Sequence, residues 1–489
     1  MKKYYILIIV MMATGLISCS KWLDVTPKSE VSQGALFSTQ SGFEEALNGV
    51  YSRCTQEDSY GREITCGFLD VLAQNYVITS DDPQGYRQTS LYNYEEEQFI
   101  NRRDNVWKAL YAAIANCNLI LHHLKGQENL FVGREYELIK GEALALRAYL
   151  HFDLLRMFGP SYVNDPGASA VPYVMSFTKN ITPMATVRGV LDSAILDLNE
   201  AKALLKISDP ILNEGYKVGY PAKDSSTEES NTLFMQNRRH RMNYYAVCGE
   251  LARVYLYKGD KANALTNALE VINARKFPWT RQNDFLNPDD EKKDRILYRE
   301  LLFGWYVPNM SGRLNERFRN GESALFVTTT EGQNIYETGG VGGDDFRYKQ
   351  WFSEKSGGLG TRLQLEKYYR DGDANIHYQM APAIRLSEMY YIAAECTFDT
   401  DPVKAWDYFN EVRLHRGIGA RITEERSKDV FMNELVKECR KEFYGEGQIF
   451  YMYKRLNRPV NGLAGIQYPA TNKLFVLPLP DDEIQFGNR

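Results

Sequence analysis

Aromatic and carboxylate side chains that could hold a sugar are concentrated in two stretches of the sequence. Residues 69–105 contain the first set, which is Tyr76, Asp81, Asp82, Tyr86 and Tyr92. Residues 277–380 contain the second set, which is Trp305, Tyr306 and Trp351. A neutral sugar offers hydroxyl groups and flat CH faces, so a protein binds it with aromatic platforms and neighbouring hydrogen-bonding groups. We therefore predict that these eight residues contact a ligand.

The sequence contains no pattern that is typical of a catalytic or metal site. The six histidines lack metal-ligand spacing, and neither a C-x-x-C motif nor a G-x-S-x-G or G-K-[ST] motif occurs. A glycosidase would need two carboxylates about 5–9.5 Å apart, which sequence alone cannot pair, so hydrolysis stays a remote alternative. We predict a binding protein without catalytic residues, cofactor or metal ion.

One polar segment resembles the beginning of a calcium loop. Asp371, Asp373 and Asn375 alternate as calcium ligands do. However, Ile376 stands where such a loop needs glycine, and Pro382 stands where it needs a bidentate glutamate. A polar turn is our interpretation, and an irregular calcium site is the alternative.

The N-terminus reads as an export signal. Lys2 and Lys3 precede an apolar run over residues 4–17 that, as a helix, would be about 21 Å long. This is too short for a bilayer core of about 30 Å, so we predict a cleaved signal peptide, residues 1–18. Residues 16–19, Leu-Ile-Ser-Cys, resemble the lipobox of bacterial lipoproteins, which predicts a lipid on Cys19 and a tether over residues 19–40. The alternative is an ordinary secreted protein with an incidental cysteine.

The composition is that of a large protein without further membrane segments. The net charge is −5 from interspersed residues and the mean hydropathy is −0.43, so nucleic acid is an unsuitable partner. No later run of 18 apolar residues occurs. Six cysteines remain after Cys19. Most resemble small core residues, whereas Cys54 and Cys66 could form a disulfide or stay free.

Helical periodicity dominates the rest of the chain. Apolar residues recur at i, i+3, i+4 and i+7 in the following ranges: 107–120, 134–158, 187–205, 242–258, 261–274, 384–398, 403–415 and 429–444. Residues 249–272 align with residues 390–413, placing Asp260 on Asp401 and Ala264 on Ala405. Alanines let antiparallel helices approach closely, as in tetratricopeptide-type pairs. We predict a mainly α fold of about four such pairs, in one domain over residues 41–489. Loop-rich insertions are expected at about 69–105, 161–183 and 277–380.

Several of these segments together resemble one known family. The matching segments include residues 107–111, 141–149, 385–390, 410–413 and 442–447, followed by the Leu-Pro-Leu-Pro sequence of residues 477–480. In this order they resemble the SusD/RagB family of nutrient-uptake outer-membrane lipoproteins, and the match spans the chain.

The resemblance implies a surface lipoprotein that captures oligosaccharide without catalysis. It also implies a partner, a SusC-like TonB-dependent barrel transporter, over which the protein sits as a lid. Peptide capture on the same scaffold is one alternative, and an assembly scaffold without a small ligand is another. No family motif fixes the ligand contacts, since these vary with the ligand.

Overall fold

The computed structural model describes most of the chain. The described residues are 33–220, 226–229, 232–289, 293–308, 310, 317–319, 324–357, 360–369, 379–423 and 427–487. The predicted signal peptide, Cys19 and the tether as far as residue 32 lie outside them, and so do residues 371–376 of the candidate calcium loop. No helix of the described ranges has the length and hydropathy needed to cross a membrane.

Nine long helices form the frame of the described structure. They are α1 (Gln40–Cys54), α2 (Glu97–Leu124), α3 (Glu135–Phe158), α4 (Val187–Ser208), α5 (Tyr244–Lys258), α6 (Lys261–Ala274), α7 (Leu386–Thr397), α8 (Pro402–His415) and α9 (Lys428–Glu442). Shorter helices lie before, between and after them, at Gln33–Leu36, Phe68–Leu72, Arg87–Ser90, Gln282–Phe285, Thr329–Tyr336, Phe346–Trp351, Ile449–Leu456, Asn472–Phe475 and Asp481–Phe486. The predicted mainly α class is thereby confirmed.

The strands are short and lie in the connections. They are β1 (Ser169–Pro172), β2 (Met184–Thr186), β3 (Leu301–Tyr306), β4 (Phe326–Thr328), β5 (Phe352–Gly357), β6 (Gly360–Leu365), β7 (Met380–Arg385), β8 (Val460–Asn461) and β9 (Gln467–Tyr468). All described pairs are antiparallel: β1 with β2, β3 with β7, β4 and β5 with β6, and β8 with β9. β7 runs directly into α7, so the helix predicted from residue 384 begins two residues later.

Each helix from α1 to α7 packs against the next one along the chain. The sequence-predicted alignment of two pairs is confirmed in α5–α6 and α7–α8. Asp260 caps α6 by accepting a hydrogen bond from the Asn263 N–H at 3.1 Å, and Asp401 caps α8 by accepting one from the Lys404 N–H at 2.9 Å. Ala264 and Ala405 are both fully buried between their helices. A capping acid followed by a small residue therefore builds the same hairpin twice.

The predicted loop-rich insertions contain more regular secondary structure than expected. α2 already begins at residue 97 and helix Phe68–Leu72 lies inside the first insertion, so only part of residues 69–105 is irregular. The tether was predicted to reach residue 40, whereas the chain is helical from Gln33. The long insertion leaves the frame after α6 and returns at α7, two helices that pack on each other. It therefore lies outside the stack without interrupting it.

A buried carboxylate joins the beginning of the chain to its end. Asp70 accepts hydrogen bonds from the backbone N–H groups of Gly445 at 2.7 Å and Gly447 at 3.0 Å, and from the Tyr76 hydroxyl at 2.9 Å. Gly447 has φ +69°, and a Cβ atom there would lie 2.0 Å from the carbonyl oxygen of Ile64. Glycine is thus required at this close approach. Nearby, the Leu477 N–H donates to the Met157 carbonyl at 3.1 Å.

A buried ionic cluster lies next to this junction, at the end of α9. The Glu442 carboxylate accepts hydrogen bonds from Arg347, Arg385 and Arg416. These arginines also pair with a second set of acids, which is Glu300, Asp345, Glu438 and Glu446. Burial would raise the pKa of Glu442, but the guanidinium groups of Arg416 and Arg385 hold it well below its ordinary value. The cluster fixes α9 against the long insertion.

The six cysteines of the described residues are buried free thiols, so the structure adopts the unpaired alternative for Cys54 and Cys66. Burial raises the pKa of Cys66 and of Cys117 to about 12, which keeps them protonated and unreactive.

In the mature chain with Cys19 replaced by alanine, we expect a maleimide to label no thiol under native conditions. In urea it should label all six, as measured by intact mass. Only four labelled thiols in unreduced urea would reveal a Cys54–Cys66 disulfide and contradict the prediction.

Candidate ligand-binding site

An open cleft of about 600 Å³ lies beside the second half of α1. Its walls come from three parts of the chain: Asn48 to Thr55 at the end of α1, the segment of residues 229–241, and the end of β3 from Trp305 to Pro308. β3 is buried along its length until Tyr306, its last residue. The strand therefore carries one aromatic side chain out of the core and into the cleft.

Tyr306 presents an accessible aromatic face in this cleft. Its side chain is 49% exposed, and its ring lies parallel to that of His240, with centroids 5.7 Å apart and an interplanar angle of 9°. His240 Nε2 lies 3.1 Å from the Tyr298 hydroxyl. Burial, together with the neighbouring Arg239 and Arg241, lowers the pKa of His240 to about 3. The imidazole is therefore neutral and supports the tyrosine as a flat, uncharged neighbour.

Trp305 forms the inner wall of the cleft and belongs to the core. It is 1% exposed and stacks on Tyr60 with centroids 4.5 Å apart, while Phe303 and Tyr149 meet its edges. In antiparallel β3–β7 pairing it lies opposite Ala381, which leaves room for the indole. Trp305 consequently sets the shape of the cleft, whereas Tyr306 provides its accessible ring.

Arg241 adds a fixed cation to the cleft. Its Nε donates to Glu142 at 2.9 Å and its Nη1 donates to Asn48 Oδ1 at 2.7 Å. The guanidinium also lies over the Tyr51 ring, 4.7 Å from its centroid. The Tyr51 hydroxyl donates to Glu142 at 2.7 Å, so the same carboxylate orients both side chains. This arrangement holds the polar wall rigid before any ligand arrives.

Three polar atoms of cleft residues lack hydrogen-bond partners within the described structure. They are Asn237 Oδ1, Arg241 Nη2 and Trp305 Nε1. Each is shielded from solvent, and a shielded polar group without a partner is unfavourable in most proteins. They lie in the wall behind the exposed ring, where ordered water is the usual partner of such groups.

The structure places the other predicted aromatic contacts in the core. Tyr76 is 5% exposed, and its hydroxyl binds Asp70. Tyr86 is fully buried with its hydroxyl on Glu63 at 2.8 Å, and Trp351 is fully buried with Nε1 on the Arg295 carbonyl at 2.7 Å. The half-buried Tyr92 donates to the Leu72 carbonyl at 2.8 Å. Buried rings cannot offer a face to a ligand, so we no longer propose Tyr76, Tyr86 or Trp351 as contacts.

The two predicted aspartates lie apart from the cleft of Tyr306. Asp81 is exposed, and Asp82 Oδ2 accepts a hydrogen bond from the Arg87 N–H at 2.6 Å, which closes a turn. The adjoining Pro83 and Gln84 line a second cavity of about 370 Å³, whose walls carry Arg102 and Arg317. Of the eight predicted contacts, the structure therefore brings only Trp305 and Tyr306 together in one cleft.

Sequence reasoning missed His240, Arg241, Asn48 and Tyr51. The sequence of residues 238–241, Arg-Arg-His-Arg, was a visible signal, since a basic run directly before a helix needs carboxylate partners. The partner Glu142 lies 99 residues away, which no local pattern reveals. Within the described ranges, no group of three or more His, Cys, Asp or Glu side chains is placed to hold a metal ion.

Two family models match the sequence. One is described as starch-binding and associating with the outer membrane and matches residues 21–211, and the other, of the SusD family, matches residues 328–485. Two relatives come from Formosa agariphila. SusD-like protein P2 is 23% identical over 99% of this chain and 97% of its own length. SusD-like protein P38 is 26% identical over 94% of each chain.

Solved structures share the fold. A SusD superfamily protein from Bacteroides thetaiotaomicron superimposes with a TM-score of 0.71 at 22% identity, covering 92% of this chain and 98% of that one. A SusD-like carbohydrate binding protein from Bacteroides vulgatus gives a TM-score of 0.71 at 19% identity, covering 92% and 96%. The predicted arrangement of helix pairs with insertions therefore has close structural counterparts.

Proposed function

Because the chain belongs to the SusD/RagB family of nutrient-binding, outer-membrane-associated proteins, we propose that it captures oligosaccharide at the cell surface. Capture is non-catalytic, and the ligand passes to a TonB-dependent, SusC-like transporter in the outer membrane. The lipid on Cys19 holds the protein at that membrane. The description of the matching family, starch-binding and associating with the outer membrane, supports both the ligand class and the location.

The exposed ring of Tyr306 is the observation that carries the ligand class. An aromatic face that is half exposed and lies against a neutral imidazole fits the CH face of a sugar. The open cleft of about 600 Å³ is large enough for a few sugar rings. The rigid Arg241–Glu142 wall keeps the binding groups in place, which reduces the entropy lost on binding.

Peptide capture is the second candidate, since aromatic and guanidinium groups also bind peptides. Calorimetry with neutral oligosaccharides, including starch fragments, and with peptides of mixed sequence distinguishes the two. We expect binding by at least one oligosaccharide and none of the peptides. Binding of peptides alone would overturn the proposed ligand class. Binding of neither, together with retention of the transporter in a pull-down, would favour an assembly scaffold.

Replacing Tyr306 with alanine is expected to weaken oligosaccharide binding about tenfold or more, because the variant loses the stacked ring. The variant should unfold at the wild-type temperature, since the side chain is half exposed. Isothermal titration with the best oligosaccharide measures the affinity.

Phe177→Ala is the matched control for this variant. Phe177 is 49% exposed, as Tyr306 is, but lies in the β1–β2 loop away from the cleft. Its replacement should leave the affinity unchanged. Equal losses in both variants, or no loss in Tyr306→Ala, would place the binding site elsewhere.

A further inference from the structure

Five exposed apolar side chains project from three connecting segments and helix ends of the described structure. They are Val132 at 76% exposure, Met175 at 62%, Phe177 at 49%, Ile181 at 56% and Ile207 at 57%. Val132 is in the turn between α2 and α3, Ile207 is in the last turn of α4, and the other three are in the β1–β2 loop. We call these five residues the tether face, because the N-terminal segment of the described chain enters near them.

Contacts along the helices place Val132 and Ile207 at one end of the frame. The Val132 N–H donates to Gln40 Oε1 at 3.0 Å, so the α2–α3 turn meets the first residue of α1. α4 is antiparallel to α3, with Lys140 Nζ 2.8 Å from Glu200 Oε1. The C-terminal turn of α4 therefore lies beside the first turns of α3, at the same end.

The β1–β2 loop extends toward this end as well. The Tyr111 hydroxyl donates to the Pro172 carbonyl at 2.9 Å, and Asn118 Nδ2 donates to the Val174 carbonyl at 2.9 Å. The loop thus follows α2 from its middle toward its C-terminus. Met175 and Phe177, which follow Val174, therefore continue toward the end of α2, and Ile181 lies on the part of the loop that returns to β2.

The N-terminal segment of the described chain enters at this same end. Phe37 stacks on His123, in the last turn of α2, with centroids 4.4 Å apart. Thirteen residues lie between Cys19 and Gln33. They span at most about 50 Å even when fully extended. A lipid on Cys19 would therefore keep this end of the frame within about 50 Å of the bilayer.

Basic side chains accompany these apolar ones. Lys125 follows α2, Lys179 lies in the β1–β2 loop, and Lys206 precedes Ile207, and all three are exposed. Glu128 is the exposed acid of the α2–α3 turn. Isolated apolar tips flanked by lysines are the pattern by which peripheral proteins insert into the headgroup region of a membrane. A protein partner would instead favour a continuous apolar surface.

We propose that the tether face contacts the lipid bilayer directly, with Met175, Phe177 and Ile181 in the headgroup region. This inference rests on the proposed anchoring at Cys19 and concerns the orientation of the folded body. Because the cleft lies beside the second half of α1, and the tether face lies at the other end of this helix, contact would hold the cleft away from the lipid surface.

The test uses an environment-sensitive fluorophore, NBD, on single introduced cysteines. The full mature chain carries alanine in place of Cys19 and an N-terminal histidine tag, which binds nickel-chelating lipid in vesicles of phosphatidylethanolamine with a minority of phosphatidylglycerol. The buried native thiols stay unlabelled. We expect NBD emission at Phe177→Cys and at Val132→Cys to rise about twofold or more on vesicle binding.

Val403→Cys is the matched control, since Val403 is 64% exposed at the start of α8. Its emission should not change. Unchanged emission at both test positions would overturn the proposal. So would a rise that occurs only after an outer-membrane transporter is reconstituted, since the face would then contact protein. Because the tag replaces the lipid, these outcomes are independent of whether Cys19 is acylated, and oligosaccharide binding is measured separately.

Discussion

Replacing Glu442 with glutamine is expected to lower the free energy of unfolding by about 3–5 kcal/mol. Glu442 is fully buried and accepts hydrogen bonds from Arg416 at 2.7 and 2.9 Å and from Arg347 at 2.9 Å. Glutamine has nearly the same shape but no charge, so the guanidinium groups of Arg347, Arg385 and Arg416 lose the anion that they share. Removing one partner from a buried ionic cluster is far more destabilising than the cluster itself is stabilising.

Urea denaturation of the two proteins at neutral pH measures the difference. Asp192→Asn is the matched control, because Asp192 pairs with Lys258 at 2.6 Å but its side chain is 48% exposed. An exposed pair contributes about 1 kcal/mol or less. A loss in Glu442→Gln as small as that of the control would show that the cluster is not essential for stability.

Replacing Glu250 with glutamine is expected to make the protein more stable relative to wild type as the pH rises. Glu250 is fully buried, Arg253 Nη1 donates to its Oε2 at 3.0 Å, and its Oε1 has no hydrogen-bond partner within the described structure. Burial raises the pKa of Glu250 to about 7, although Arg253 and Arg156 oppose the rise. The carboxyl group of the folded protein therefore holds its proton at a pH where that of the unfolded chain has released it.

The sign of the effect follows from this difference. Below about pH 4.5 the group is protonated in both states and contributes equally to them. Between about pH 4.5 and 7 wild type loses stability, and above pH 7 the loss reaches about 3 kcal/mol, since each pKa unit corresponds to about 1.4 kcal/mol. Glutamine stays neutral and avoids the loss. Urea denaturation of both proteins at pH 5 and at pH 8 measures the change.

Glu142→Gln is the control with the opposite sign. Burial would raise the pKa of Glu142, but Arg241 and Arg238 lower it below its ordinary value. A carboxyl group with a lowered pKa stabilises the folded state at neutral pH and loses this effect on acidification. Glu142→Gln should therefore be most harmful at pH 8. A pH-independent difference between wild type and Glu250→Gln would contradict the prediction for Glu250.

The helical frame was predictable because its information is local. Residues 261–274 were predicted as a helix and α6 has these bounds, since the apolar period, the capping Asp260 and Gly259 before it all agree. α2 begins ten residues before the predicted range because its first turns are rich in charged residues, with Arg103 buried by tertiary contacts.

The candidate site was predictable only in part, because burial in the insertions depends on distant residues. Tyr86 and Tyr306 look equivalent in the sequence, yet Tyr86 is covered by Glu63 and Arg102 while Tyr306 is the last residue of a buried strand. Their difference arises from how the insertions pack on the frame. Likewise the pairing of Arg241 with Glu142 joins α3 to the segment before α5, and a single sequence does not reveal it.

The bonds from Asp70 to Gly445 and Gly447 also bear on how the protein is made. They connect positions 375 and 377 residues apart, and contacts between such distant positions form late because closing a long loop is entropically unfavourable. Almost the whole polypeptide must therefore be synthesised before Asp70 can bind Gly445 and Gly447.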